Sequence, residues 1–282
     1  MKTAIKVLLI VAASLAVAGI GLFVAALAIG GWNFSAFKTE YEAVTYDVPQ
    51  PFSSIAIDVN EHDVTFRPAT DGKCRVVADE GEKVTHAVTV KAGTLSITVE
   101  DGRKWYERWT FFAFESPKMT VYLPEKEYDA LTVESSTGDV TLPADFTFDS
   151  VDVTLSTGDI TVEGASVGAL SLSVSTGRTT VSDLTCRTFT SEGGTGDLTL
   201  KNVLVDGKMS IKRGTGDVDL QRCDAAELSI KTSTGDVTGT LRTPKIFFAD
   251  TSTGRVSVPQ TTTGGRCEIK TSTGDIEITI AK

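Results

Sequence analysis

Histidine is almost missing from this sequence. Only His62 and His86 occur among 282 residues, and neither has the spacing of a metal site or a catalytic triad. Gly-x-Ser-x-Gly, His-Glu-x-x-His and phosphate-loop patterns are missing too, which removes the usual sequence marks of hydrolases, metalloproteases and nucleotide-binding enzymes. Cysteine is sparse, and Cys74, Cys186, Cys223 and Cys267 form no Cys-x-x-Cys pair that would signal zinc. No catalytic residue, cofactor or resident metal is expected, and the chain reads as a non-enzyme. Positive charge is also short. The first 32 residues hold only Lys2 and Lys6, and the remainder carries 25 Lys and Arg against 37 Asp and Glu, a net charge of 25 − 37 = −12. Nucleic-acid binding needs a basic footprint and is excluded. An acidic body meets anionic lipid or wall polymer only through a bridging cation or an apolar patch.

What the N-terminus does have is an uninterrupted apolar run. Residues 7–29 contain no charge. As a helix rising ~1.5 Å per residue they would span about 35 Å, enough for a hydrocarbon core of ~30 Å. Lys2 and Lys6 precede the run and Lys38, Glu40 and Glu42 follow it, which predicts a cytoplasmic N-terminus and an extracellular remainder. The rival reading is a cleaved signal peptide, with Ala26-Leu27-Ala28 resembling a cleavage site.

From residue 131 one phrase recurs eight times, as in Ser136-Thr137-Gly138-Asp139-Val140. Its central glycines are Gly138, Gly158, Gly177, Gly196, Gly216, Gly235, Gly254 and Gly274, spaced 20, 19, 19, 20, 19, 19 and 20 residues apart. A fixed period near 20 predicts stacked supersecondary units. Between glycines the apolar residues alternate: Leu131 and Val133 before the first, Val140 and Leu142 after it. That is the period of a strand, and its parity breaks at Thr-Gly-Asp. The chain must turn a corner there, where glycine tolerates positive φ and Asp and Ser bond nearby backbone. The predicted fold is all-β: a parallel β-solenoid with one coil per 19–20 residues, preceded by one N-terminal transmembrane helix. The domains are an anchor (1–32), a linker (33–51), an N-terminal β region that forms the first coils and lid (52–130), and the regular solenoid (131–282). Strands are expected in the β region at 54–59, 63–67, 75–77, 84–90 and 94–99.

The Ser-Thr-Gly-Asp-Val phrase, the lead-in Phe52-Ser53-Ser54-Ile55-Ala56-Ile57 and the later Met119-Thr120-Val121-Tyr122-Leu123-Pro124 resemble the bacterial β-strand-repeat family of unknown function labelled putative adhesin. The resemblance covers roughly residues 45–282. It implies a bacterial surface or envelope protein whose relatives are often encoded near envelope-stress regulators, and it supplies no catalytic residues. This chain departs from the family at Arg178 and Arg255, which replace Asp, and at Gly194 and Gly214, which replace Ser.

Several features carry binding chemistry, each beside a structural reading. Stacking aligns Asp139, Asp159, Asp197, Asp217, Asp236 and Asp275, and neighbouring carboxylates invite a bridging calcium. The alternative is that each caps its own turn, with Arg178 and Arg255 supplying counter-charge. A row of threonines, Thr137, Thr157, Thr176, Thr195, Thr215, Thr234, Thr253 and Thr273, could order water or meet a polysaccharide, or could pair across strands to hold the stack. Trp105, Tyr106, Trp109, Phe111, Phe112 and Phe114 fall within ten residues. They form either a lid over the open first coil or a contact with the bilayer interface or a partner. Cys186, Cys223 and Cys267 read as small buried hydrophobes rather than bridges or metal ligands.

The last strand, around residues 276–280, has no cap after it. It is expected to offer its edge to another chain, including a second copy. The linker reaches only about 65 Å when extended. That favours a module held near the membrane, with an envelope protein or lipid as partner. The alternative is an adhesin whose coils bind polysaccharide or a neighbouring cell.

Overall fold

The computed structural model describes residues 2–29, 41–104, 116–164 and 166–281. The chain divides into two compact units, an N-terminal helical unit and a β unit that starts at Tyr41. Helix α1 spans Lys2–Ile29. Its stretch Ile5–Ala25 has a mean hydropathy of 2.7 and is long and apolar enough to cross a membrane, a property that a signal sequence shares.

The β unit opens with β1 (Glu42–Val48), β2 (Ser54–Val59), β3 (Asp63–Pro68), β4 (Cys74–Glu80), β5 (Val84–Lys91), β6 (Thr94–Asp101) and β7 (Lys118–Leu123). The repeats follow as a long strand and a short strand per coil: β8 (Glu127–Thr137) and β9 (Val140–Leu142), β10 (Thr147–Thr157) and β11 (Ile160–Glu163), β12 (Ser166–Thr176) and β13 (Thr179–Ser182), β14 (Thr185–Thr195) and β15 (Leu198–Lys201). Next come β16 (Leu204–Thr215), β17 (Val218–Thr234, which serves two coils), β18 (Val237–Leu241), β19 (Lys245–Thr253), β20 (Val256–Ser257), β21 (Gly265–Thr273) and β22 (Ile276–Ile280). Long strands stack in one parallel sheet and short strands in another, giving a solenoid of about eight turns with bridges about 20 residues apart. The predicted solenoid is the fold observed.

The alternation explains the core. In the first regular coil Leu131, Val133, Val140 and Leu142 are buried, while Glu134 and Asp139 are exposed. One inward column runs Leu131, Val151, Leu170, Phe189, Met209, Leu228, Cys267, Phe247. Each fully buried aliphatic or aromatic member contributes about 1.5–3 kcal/mol of hydrophobic stabilisation. All four cysteines are buried, and burial pushes their thiol pKa values up to about 11–12.

The order of that column departs from chain order, and the same departure occurs at both ends. The final long strand β21 lies between β17 and β19, and β22 lies between β18 and β20. The C-terminal strand expected to be an open edge is therefore interior at Ile276 and Glu277, while Ile278–Ile280 pair with β18 alone among the described residues. The free edge at this end belongs to the preceding coil, β19–β20. At the other end β2 lies between β6 and β8, and β3 between β7 and β9, so the first coil is second in the stack. Three antiparallel strands cover this end, β5 on β6, and β4 then β1 on β7. Strand β1 falls inside the segment expected to be linker, which the structure ends at Glu42. Glu42–Val48 has one buried residue, Val48, and this weak pattern hides the strand from sequence reading.

Candidate functional site

Three places on the solenoid concentrate chemistry. The first is the corner edge. Each Thr-Gly-Asp corner lies directly over the next, so close that a Cβ on Gly158 would stand 2.0 Å from the carbonyl oxygen of Gly138, at a φ of 140°. Only glycine fits. The aspartates then act between coils rather than within their own turn. Asp139 N–H donates to Asp63 Oδ1 (3.0 Å), Asp159 N–H to Asp139 Oδ1 (2.7 Å) and Arg178 N–H to Asp159 Oδ1 (2.6 Å). After Arg178 the ladder resumes: Asp217 N–H to Asp197 Oδ1 (3.0 Å), Asp236 N–H to Asp217 Oδ1 (2.8 Å), Asp275 N–H to Asp236 Oδ1 (2.7 Å) and Arg255 N–H to Asp275 Oδ1 (2.8 Å). Arg255 therefore stands on the outermost corner, where no further coil needs a carboxylate. Its guanidinium folds back onto Asp275 Oδ2 at 3.0 Å. Its bonds hold the Asp275 pKa below the usual value, first through its backbone N–H and then through its side chain.

Beside these carboxylates the eight threonines of the repeat form an exposed, in-register row. In the later Thr-Ser-Thr triplets the first threonine turns inward instead. Thr232 and Thr271 are buried, and Thr271 Oγ1 donates to the carbonyl of Thr273 at 3.2 Å.

The second place is a buried cluster at the capped end. The corner 60–63 stacks on 136–139, so His62 stands where later coils have glycine. His62 Nε2 meets His86 Nε2 of β5 at 3.1 Å; His86 Nδ1 meets Glu80 Oε1 of β4 at 2.9 Å; Tyr46 OH of β1 donates to Glu80 Oε1 at 2.5 Å. His62 is 2% exposed and His86 6%. Burial, then the neighbouring His86, lowers the His62 pKa to about 4. Burial works to raise the Glu80 pKa, but hydrogen bonds from Tyr46 and His86 outweigh it and leave it lowered. Burial, then Glu80, pushes the Tyr46 hydroxyl up to about 12. The two histidines are buried and Glu80 and Tyr46 half-buried beside them, and the cluster ties the three covering strands to the first corner. Sequence reading missed it because the pair is formed by residues 24 apart on antiparallel and parallel elements. The signal available was Val59-Asn60-Glu61-His62-Asp63-Val64, an imperfect copy of the repeat phrase.

A related oddity is Arg213, 4% exposed in an inward position that holds Leu155 or Val174 in other coils. It donates to Ser191 Oγ at 2.8 Å, while Nε and Nη1 have no protein partner. Gly193 makes the room, since a Cβ there would stand 1.6 Å from Nη1. Burial lowers the Arg213 pKa to about 10.

The third place is the distal coil. Outside α1, the exposed large apolar side chains among the described residues are Ile246 (39%), Phe248 (48%) and Val256 (43%), all on β19–β20. Phe248 lies under the guanidinium of Arg266 at 4.4 Å. Inward-facing Phe247, Ala249 and Val258 are only partly buried, because no coil lies beyond them. The aromatic group Trp105, Tyr106, Trp109, Phe111, Phe112 and Phe114 lies outside the described residues. Among the described residues no group of three or more His, Cys, Asp or Glu is arranged to hold a metal ion.

Similarity to known proteins agrees with this fold. The chain is similar to a putative adhesin from Bacteroides fragilis, with 16% identity, a TM-score of 0.52, and 86% of this chain and 99% of that one covered. It is also similar to a putative lipid binding protein from Parabacteroides distasonis, with 14% identity, a TM-score of 0.54, and 87% and 99% covered. At these identities the likeness is one of fold. No curated protein matches the chain at a significant level. The family model described as Toastrack DUF4097 matches residues 52–282, from the lead-in of the first coil to the last strand, and the chain belongs to that family.

Proposed function

We propose that this chain is a non-enzymatic, membrane-anchored interaction module of the bacterial cell envelope, its N-terminus cytoplasmic and its solenoid extracellular. The observation that carries the reading is the difference between the two ends of the stack. The end where the chain enters from α1 is covered by three antiparallel strands, whereas the distal coil leaves a strand edge and three large apolar side chains exposed. Surface patches of this kind mark contact sites. The apolar α1, preceded by lysines, supports an anchor. The descriptions carried by the similar structures, adhesin and lipid binding, name no reaction. A link to envelope stress belongs to this reading through family resemblance, and would appear as induction of the protein by cell-wall antibiotics.

Photo-crosslinking in living cells tests the module, with the probe placed in turn at Phe248 and at Thr234 on the side face. Capture of a protein at Phe248 supports it. A second reading, an adhesin that binds polysaccharide, is favoured by the straight row of eight exposed threonines. Capture of polysaccharide at Thr234, with nothing at Phe248, would replace the first reading by the second.

A further inference from the structure

We propose that the distal coil pairs with a second copy of this chain, its β19 edge antiparallel to the same edge of the other copy about a two-fold axis at Phe247. This rests on the interaction-module reading and names the partner. Among the described residues strand β19 has a neighbour on one side, β21, and no strand pairs with its other edge, a template for strand addition.

The strand is self-complementary in one register. Directly opposite residues of an antiparallel pair share a face, with Cβ atoms about 4.5–5.5 Å apart. Centring the two-fold axis on Phe247 sets Phe247 against its twin and closes the half-open core from both sides. On the outer face it sets Ile246 of each copy against Phe248 of the other, burying the two most exposed apolar side chains of the strand. The neighbouring registers break this match: centring on Ala249 would put Phe248 against Asp250 and Ile246 against Ser252.

The other way of extending the stack, head to tail, would set β19 against the antiparallel strand β5 that covers the far end of the next copy. Such growth would also be open-ended, whereas a two-fold pairing closes at two copies. In the pair the two covered ends lie farthest apart. With eleven long strands per copy at ~4.8 Å, they stand about 100 Å from one another.

The test uses the full chain in membranes. One tagged copy carries Ile246→Cys and a differently tagged copy carries Phe248→Cys, and mild oxidation follows. The native thiols are buried and give little background. The expected result is a mixed disulfide between the two tags. It should be lost when Thr215→Cys on the side face replaces either variant. A Phe248→Glu chain, altered on an exposed face and so able to fold, is expected to sediment as a monomer in detergent where the parent is a dimer. Cross-linking no stronger than the Thr215→Cys control overturns the proposal. If a photo-probe at Phe248 then captures a different protein, the module reading stands without self-pairing; if it captures nothing, both fail.

Discussion

His62 and His86 face each other through their Nε2 atoms at 3.1 Å inside the capped end, so the pair accommodates one bridging proton and not two. His62 has a folded pKa of about 4 against an ordinary 6.5. The unfolded chain therefore binds the extra proton first as pH falls. Stability from this site is complete above about pH 6.5 and is lost progressively toward pH 4, by about 3 kcal/mol at the full shift. Thermal melting between pH 7.5 and 4.5 should show this fall, and His62→Gln should flatten it. An equal acid loss in His62→Gln would place the sensitivity elsewhere.

Each corner aspartate commits Oδ1 to the backbone of the next coil. Asp236→Ala should strip the acceptor from Asp275 N–H and cost about 1 kcal/mol. Because those oxygens are engaged, excess EDTA and millimolar calcium should give the same melting temperature. A calcium-dependent rise would show that the carboxylates hold a cation instead.

Glycines in the chain differ sharply in what they tolerate. Gly177→Ala would drive a Cβ to 1.9 Å from the Gly158 carbonyl oxygen, at a φ of 150°. The cost should be on the order of 3 kcal/mol or more. Gly72 also has a positive φ, 69°, but open space around it. Gly72→Ala should cost only about 1–2 kcal/mol. Denaturant midpoints of the two variants decide the point, and equal shifts would refute the stacked-corner account.

Arg213 is a buried charge whose one hydrogen-bond partner among the described residues is a serine hydroxyl. Replacing such a group by an apolar one of similar length is often neutral or stabilising, by about 1–4 kcal/mol. Arg213→Met should leave the melting temperature unchanged or raise it, whereas Gly193→Ala in the parent should lower it. A clear loss of stability in Arg213→Met would mean that the guanidinium has an energetic role beyond its serine contact.

The regular coils were legible in the sequence because each repeats the same inward positions and the same glycine. The ends were not, for a physical reason. Spacing reports how much chain makes a coil, not which coil lies beside it, so the insertion of β21–β22 between its predecessors leaves the 19–20-residue rhythm intact. What betrays it is composition: Ile246 and Phe248 occupy outward positions, and Ala249 an inward one, as suits a coil with one neighbour. The functional reading depended on the same information. The open strand edge was sought on β22, whereas β22 pairs with β18 along its length and with β20 at Ile276 and Glu277, and the free edge is that of β19.

A stack of repeats ordinarily frays from its ends, because the last unit has one neighbour and nothing beyond it. Here each end of the solenoid is tucked under its own adjacent turn, as a rope is finished by passing the tail beneath the final loop. Strand β22 cannot peel away until β20 has left, and β2 is held between β6 and β8. A pull on the C-terminus frees Ile278–Ile280 from β18 alone and then meets ladders on both sides, at Ile276, Glu277 and along β21, so the rest must shear out lengthwise rather than unzip.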